Sequence, residues 1–174
     1  MNIRKIRLND AEAFLKMLKQ LDQETSFMLY EPGERRATVA EARKRLETVQ
    51  KAEREIIFVA ESEEGLVGFI EGHGGTLSRN RYCIYIVIGI LEDYQGAGIG
   101  SKLFEALEEW AREQQIHRLE LTVMEHNRPA MYLYEKCGFL VEGMRKRSLY
   151  VDGEFINEFY MAKILEESGP GKTK

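Results

Sequence analysis

The segment Gln95-Gly96-Ala97-Gly98-Ile99-Gly100 lies between an apolar run, Ile84 to Ile90, and an amphipathic stretch ending near Trp110. That stretch carries Ile99, Leu103, Ala106, Leu107 and Trp110, the spacing of one helix face. The order strand, glycine-rich turn, helix constrains the fold more than any other feature of the chain. Glycines let successive backbone amides face one concavity and let a ligand approach closely. The helix start adds N–H groups without intrahelical partners and the positive end of the helix dipole. Such a turn is a site for phosphate.

Three phosphate-binding patterns can be compared with these residues. A Walker loop ends Gly-Lys-Ser/Thr, whereas here the order is Gly100-Ser101-Lys102. A dinucleotide fingerprint G-x-G-x-x-G counted from Gly96 meets Ser101 where the third glycine belongs, and counted from Gly98 it meets Leu103. The spacing that fits is Q-x-x-G-x-G, with Gln95, Gly98 and Gly100. A second segment follows, Asn127-Arg128-Pro129-Ala130-Met131-Tyr132-Leu133-Tyr134-Glu135-Lys136-Cys137-Gly138-Phe139. The two together resemble the GNAT superfamily of acetyl-CoA-dependent N-acetyltransferases, whose pyrophosphate loop has the first pattern and whose later helix reads N-x-x-A-x-x-L-Y-x-x-x-G-F.

Composition narrows the function classes. The chain has 174 residues, 44% of them apolar and 31% charged, as in an ordinary globular protein, and one domain is expected over residues 1–165. The net charge of −4 gives nucleic-acid binding no electrostatic support. No apolar run approaches the ~20 residues that span a bilayer. Met1 to Ile6 lacks the apolar stretch of a signal peptide, and Cys83 and Cys137 are too few for a disulfide framework. A cytoplasmic location is the expectation. His73, His117 and His126 have no metal-ligand spacing, and no metal is expected.

Along the chain, Ile3 to Leu8 begins a short strand, and Asn9 with Glu12 predicts a capping box for a helix carrying Phe14, Leu15, Leu18 and Leu21. Residues 22–37 read as an acidic loop. Thr38 with Glu41 predicts a second capping box, ahead of Val39, Ala42, Leu46 and Val49. Strands follow at 56–60, 66–72 and 82–90, then the glycine turn with its helix, a strand with Leu119, Leu121 and Val123, and the helix 127–137. Residues 139–149 and 154–163 predict a closing hairpin turning at Asp152-Gly153, and the polar tail from Glu166 is expected to fray. The order is βααβββαβαββ. A mixed, mostly antiparallel sheet with helices on both faces buries all these stripes at once, an α/β (α+β) fold.

The resemblance implies more. It implies a V-shaped cleft between the fourth and fifth strands, with the pantetheine arm along the backbone near Ile88 and Ile90. It places the pyrophosphate on Gln95, Gly96, Ala97, Gly98, Ile99, Gly100 and Ser101. Gly89 inside the fourth strand marks either a bulge or a packing detail. Asn127, a strong helix N-cap, also meets the pantetheine arm by resemblance. Tyr134 shares the apolar helix face with Ala130, Leu133 and Cys137, and by resemblance approaches the CoA sulfur as the general acid. A tyrosine is protonated at neutral pH, as that role requires. Glu71, at the end of a strand bordering the cleft, is the candidate base, directly or through water. Cys137 reads as a packing residue before the helix cap at Gly138. The expected partners are a small-molecule amine or a peptide N-terminus, with a homodimer left open. The expected activity is direct acetyl transfer from acetyl-CoA to a primary amine. Its alternatives are a ribosomal-protein-type N-terminal acetyltransferase and a non-catalytic CoA-binding module.

Overall fold

The computed structural model describes residues 1–165, so the tail from Glu166 lies outside the described residues. The strands are β1 (Asn2–Lys5), β2 (Glu55–Ser62), β3 (Gly65–Gly74), β4 (Cys83–Ile90), β5 (Arg118–Met124), β6 (Leu140–Val151) and β7 (Glu154–Ile164). The helices are α1 (Ala11–Glu24), α2 (Val39–Lys51), α3 (Ile99–Glu113) and α4 (Arg128–Lys136). All seven strands form one sheet in the order β1-β2-β3-β4-β5-β7-β6. Every neighbouring pair is antiparallel except β4 and β5.

The helices divide between the two faces. A Cβ built on Gly72 of β3 would meet Leu107 of α3, whereas one built on Gly89 of β4 would meet Leu21 of α1. Gly72 pairs with Ile86. Side chains alternate along a strand, so Ile86 and Gly89 point to opposite faces. α1 therefore covers one face of the sheet and α3 the other. Phe14, Met17 and Leu21 of α1, with Leu46 and Val49 of α2, enter the same apolar core as Leu103, Phe104, Leu107 and Trp110 of α3. The stripes read from the helices thus face the core, with Leu18, Ala42, Ala106, Ala130, Leu133 and Cys137 half-buried and Val39 exposed.

Local chemistry explains most element ends. The Thr38 hydroxyl accepts from the Glu41 N–H at 3.2 Å, while the Glu41 carboxylate accepts from the Thr38 N–H at 2.8 Å. Asp152 and Gly153 both take positive φ, 50° and 86°, as a two-residue hairpin turn requires. The capping box expected at Asn9 is not formed. Asp10 instead accepts from the Arg7 N–H at 2.7 Å and from both Arg4 terminal nitrogens at 2.7 and 2.9 Å. The Arg7–Asp10 bonds close Leu8–Asp10 into a 3₁₀ turn, and α1 starts after it. Gly89 makes no bulge, because the β3–β4 register runs unbroken from Gly68↔Ile90 to Gly74↔Ile84. It is a glycine because any Cβ there would come within 2.9 Å of both Leu21 and Phe69.

Candidate functional site

The cleft begins where β4 and β5 separate. They pair at only three positions, Cys83↔Arg118, Ile84↔Leu119 and Tyr85↔Glu120. Beyond these, β4 stays on β3 up to Ile90 and β5 stays on β7 up to Met124. The sheet therefore opens as a V from residues 85 and 120 outward.

The unpaired side of β4 can be identified from its ladder. The Leu91 N–H donates to the Val67 carbonyl at 2.9 Å, and the Gly75 N–H donates to the Cys83 carbonyl at 3.3 Å. Backbone groups alternate sides along an antiparallel strand, so the odd-numbered residues of β4 are bonded to β3. The N–H groups of Ile88 and Ile90 consequently point into the V. The Ile90 carbonyl is already engaged by the Gln95 side-chain amide at 3.1 Å. That bond ties the first residue of the glycine turn to the end of β4.

The turn itself forms a cradle. Gly96 and Gly98 take φ of 73° and 76°, and a Cβ at either would meet nothing within 4 Å. Gly98 is the N-cap of α3, with no side-chain cap. From Gly96 to Ser101, no backbone N–H donates to a protein acceptor among the described residues. Six adjacent donors at a helix head form an anion cradle. Gly100 has a different reason to be glycine: a Cβ there would come within 2.6 Å of Leu133 on α4. Ile99 offers only its N–H, since its side chain is buried.

α4 starts at a side-chain cap. The Asn127 Oδ1 accepts from the Ala130 N–H at 3.2 Å, and its Nδ2 has no partner among the described residues. At the other end Gly138 takes φ 88°, and the Phe139 N–H donates to the Tyr134 carbonyl at 2.9 Å, the bond of a Schellman cap. Between these ends, the Tyr134 ring packs edge-on against Phe104 of α3, with centroids 5.8 Å apart. The ring is buried, but its hydroxyl makes no hydrogen bond among the described residues. Among the described residues no fully buried side-chain oxygen lacks a partner, so this hydroxyl opens onto accessible space. Burial, then the nearby Tyr85 and Cys137, push the Tyr134 pKa well above its usual value. The group keeps its proton throughout the neutral range.

Glu71 of β3 sits one strand away from the cleft, paired with Val87. Its Oε1 accepts from Arg45 at 2.7 Å and lies 3.3 Å from the His73 Nε2, while Arg45 also reaches Glu55 at 2.5 Å. Oε2 has no donor among the described residues. The acidic loop has more structural duties than its sequence suggests. Glu24 accepts from the Glu92 N–H at 2.9 Å, Glu34 accepts from the Glu31 N–H at 2.9 Å, and buried Asp22 pairs with Arg35 at 2.6 Å. Arg35 in turn lies 4.2 Å over the Tyr30 ring. The loop so pinned sets Phe27 against His126, with ring centroids 5.2 Å apart. Phe27 follows α1 and His126 follows β5, so this contact crosses the mouth of the V. No sequence motif marks it, because its two partners belong to loops far apart in the chain.

Cys137 is half-buried, and burial raises its pKa. At neutral pH it is a thiol, which is a poor nucleophile. Its carbonyl accepts from Lys163 at 2.7 Å, and Lys163 also binds Glu108 at 2.5 Å. Cys137→Ala should therefore keep turnover within a few-fold and lose about 1–2 kcal/mol of stability from truncated packing. Denaturant melts and an acetyl-adduct search by intact-mass spectrometry check this. A persistent acetyl group on Cys137 contradicts it. Among the described residues, no group of three His, Cys, Asp or Glu side chains is placed to hold a metal ion. No helix among them is long and apolar enough to cross a membrane.

Comparison with known proteins places this geometry. The family model "Acetyltransferase (GNAT) family" matches residues 15–139. A curated relative, the L-amino acid N-acetyltransferase AaaT of Escherichia coli, is 35% identical over 75 residues, covering 41% of this chain and 44% of that protein. The chain spans about half the length, or less, of the first such relatives. The spermidine N(1)-acetyltransferase of Escherichia coli is 26% identical over 168 residues, covering 91% of this chain and 88% of that one. A crystal structure of a GNAT-family acetyltransferase from Streptococcus pneumoniae superposes with a TM-score of 0.91 at 30% identity, over 94% of this chain and 99% of that one. The family match covers well over half of the chain and includes both the glycine cradle and α4. This chain belongs to the GNAT acetyltransferase family.

Proposed function

We propose that residues 1–165 form one acetyl-CoA-dependent N-acetyltransferase unit that acts on a small primary amine by direct transfer in a ternary complex. The observation that carries this reading is one continuous donor track. Six N–H groups at the head of α3 lead into the unpaired edge of β4 at Ile90 and Ile88. The cradle suits a pyrophosphate, and the splayed strand edge suits the amide groups of a pantetheine arm. In this reading Gly96 to Ser101 hold the pyrophosphate, Ile88 and Ile90 bind the arm, and the free Nδ2 of Asn127 adds one donor.

Acetyl-CoA, when bound, supplies the acetyl thioester. A β4 N–H polarises the thioester oxygen, as an oxyanion-hole donor does. The protonated Tyr134 hydroxyl, reaching in from the α3 side, gives its proton to the departing sulfur. Glu71 serves as base through a water on its free Oε2, because it stands one strand back from the cleft. Rate should rise with pH as the amine loses its proton. Tyr134 does not set that rise, since its pKa is displaced upward.

The Phe27–His126 contact closes the mouth and favours a small amine over a peptide. The two curated relatives described above are likewise named for an amino acid and for spermidine. The test is incubation with acetyl-CoA and a panel of spermidine, L-amino acids and an alanyl peptide, read by product mass and CoA thiol release. Acetylated spermidine or amino acid is the expected result. Acetylation of the peptide alone favours the N-terminal alternative. Tight acetyl-CoA binding with no product at all overturns the catalytic reading in favour of a binding module.

A further inference from the structure

The mechanism above leaves unused one polar contact across the cleft. The Tyr85 hydroxyl on β4 lies 2.8 Å from the Thr122 Oγ1 on β5. Tyr85 pairs with Glu120 at the last rung before the strands part, so Thr122 is two residues into the splayed segment. The phenol therefore spans the V at its apex. Its ring points to the α1 face, because it alternates with Ile84 and Ile86 and shares its parity with Gly89. Tyr134 lies on the other face, against Phe104 of α3.

The direction of amine approach follows from this layout. α3 and α4 occupy one face of the V. On the other face, α1 and α2 lie over β1 to β4, and Tyr160 of β7 remains exposed beside Thr122, its pairing partner on β5. The Tyr85 side is the face of the apex that these helices leave uncovered. On that side the cleft is bounded by the Tyr85–Thr122 contact at the apex and by the Phe27–His126 contact at the mouth. Within this window Tyr85 is an exposed polar group on β4, three residues before Ile88.

Resting on the acetyltransferase reading, we propose that the Tyr85 hydroxyl is the hydrogen-bond partner of the acceptor amine and that Thr122 orients it. Either hydroxyl can donate in this bond, and the role proposed here takes the direction in which Tyr85 donates to Thr122. Its lone pairs then face the cleft and accept one N–H of the neutral amine, which turns the nitrogen lone pair toward the thioester carbonyl. Tyr85 neither gains nor loses a proton in this role. Orientation of this kind acts on the amine and leaves acetyl-CoA binding alone.

The experiment compares Tyr85→Phe, Thr122→Val and the double variant with the parent, using whichever panel amine the parent acetylates best. Tyr85→Phe should lower kcat/KM for that amine about 10- to 100-fold. Calorimetry in the presence of CoA should show weaker binding of the same amine. Acetyl-CoA affinity and melting temperature should hardly move. Thr122→Val should give a smaller loss, and should add nothing in the Tyr85→Phe background. Unchanged amine kcat/KM in Tyr85→Phe overturns the proposal and leaves the acetyltransferase reading standing. A loss that tracks melting temperature or acetyl-CoA affinity also overturns it, because a simple strand staple behaves that way. A parent that acetylates no amine in the panel removes both readings together.

Discussion

Tyr134→Phe is expected to lower turnover by about 10²- to 10⁴-fold, the usual cost of losing one acid–base group. The substitution removes one oxygen, and that oxygen makes no hydrogen bond among the described residues. The ring contacts with Phe104 and Phe139 survive. Stability should therefore stay nearly level, since the hydroxyl opens onto accessible space and holds no other part of the fold. Acetyl-CoA affinity should be nearly unchanged. Single-turnover measurements separate chemistry from product release. A Tyr134→Phe enzyme that transfers acetyl at the parental single-turnover rate reduces this tyrosine to a packing residue.

The second large effect is expected on the cradle. Gly98→Asp should weaken CoA binding by at least about tenfold, because a carboxylate beside a pyrophosphate is repelled by about 1 kcal/mol in bulk water and several-fold more near a protein surface. The fold should tolerate the change. Position 98 takes φ 76°, which Asp and Asn adopt more readily than other side chains, and a Cβ there meets nothing within 4 Å. Gly98→Asn is the control, with nearly the same shape and no charge. Calorimetry on both variants separates charge from strain. Equal affinities for the Asp and Asn variants would move the phosphate elsewhere. A similar change at Gly100 would not test the same thing, because its Cβ would collide with Leu133 and push α4 away.

These two positions also mark what could be read from the chain before its fold was known. The cradle, the Asn127 cap, the Thr38 capping box and the Asp152-Gly153 turn are local chemistry, decided within a few residues. Each was legible in the sequence and each has that form in the fold. The family pattern supplied the separation of β4 from β5, which periodicity alone does not specify. Features set by distant partners were not legible. Gly89 answers to Leu21, far away in sequence, and not to a bulge. Glu24 and Glu34, which the sequence shows only as members of an acidic loop, are hydrogen-bonded to backbone N–H groups. Tyr85 sits in an apolar strand with nothing to single it out until Thr122, 37 residues on, comes within reach.

Among the described residues, the three rungs joining β4 to β5 are the only ladder between the two halves of the sheet. A pantetheine arm lying along Ile88 and Ile90 would extend that short seam, much as an added strand would. The substrate would then be a structural member as well as a reactant. A ligand that binds only the folded chain stabilises it by about 2.7 kcal/mol at a hundred times its dissociation constant. The supply of acetyl-CoA would thereby help set how long each copy of the protein resists unfolding and proteolysis, so that metabolic state governs the amount of enzyme as well as its rate.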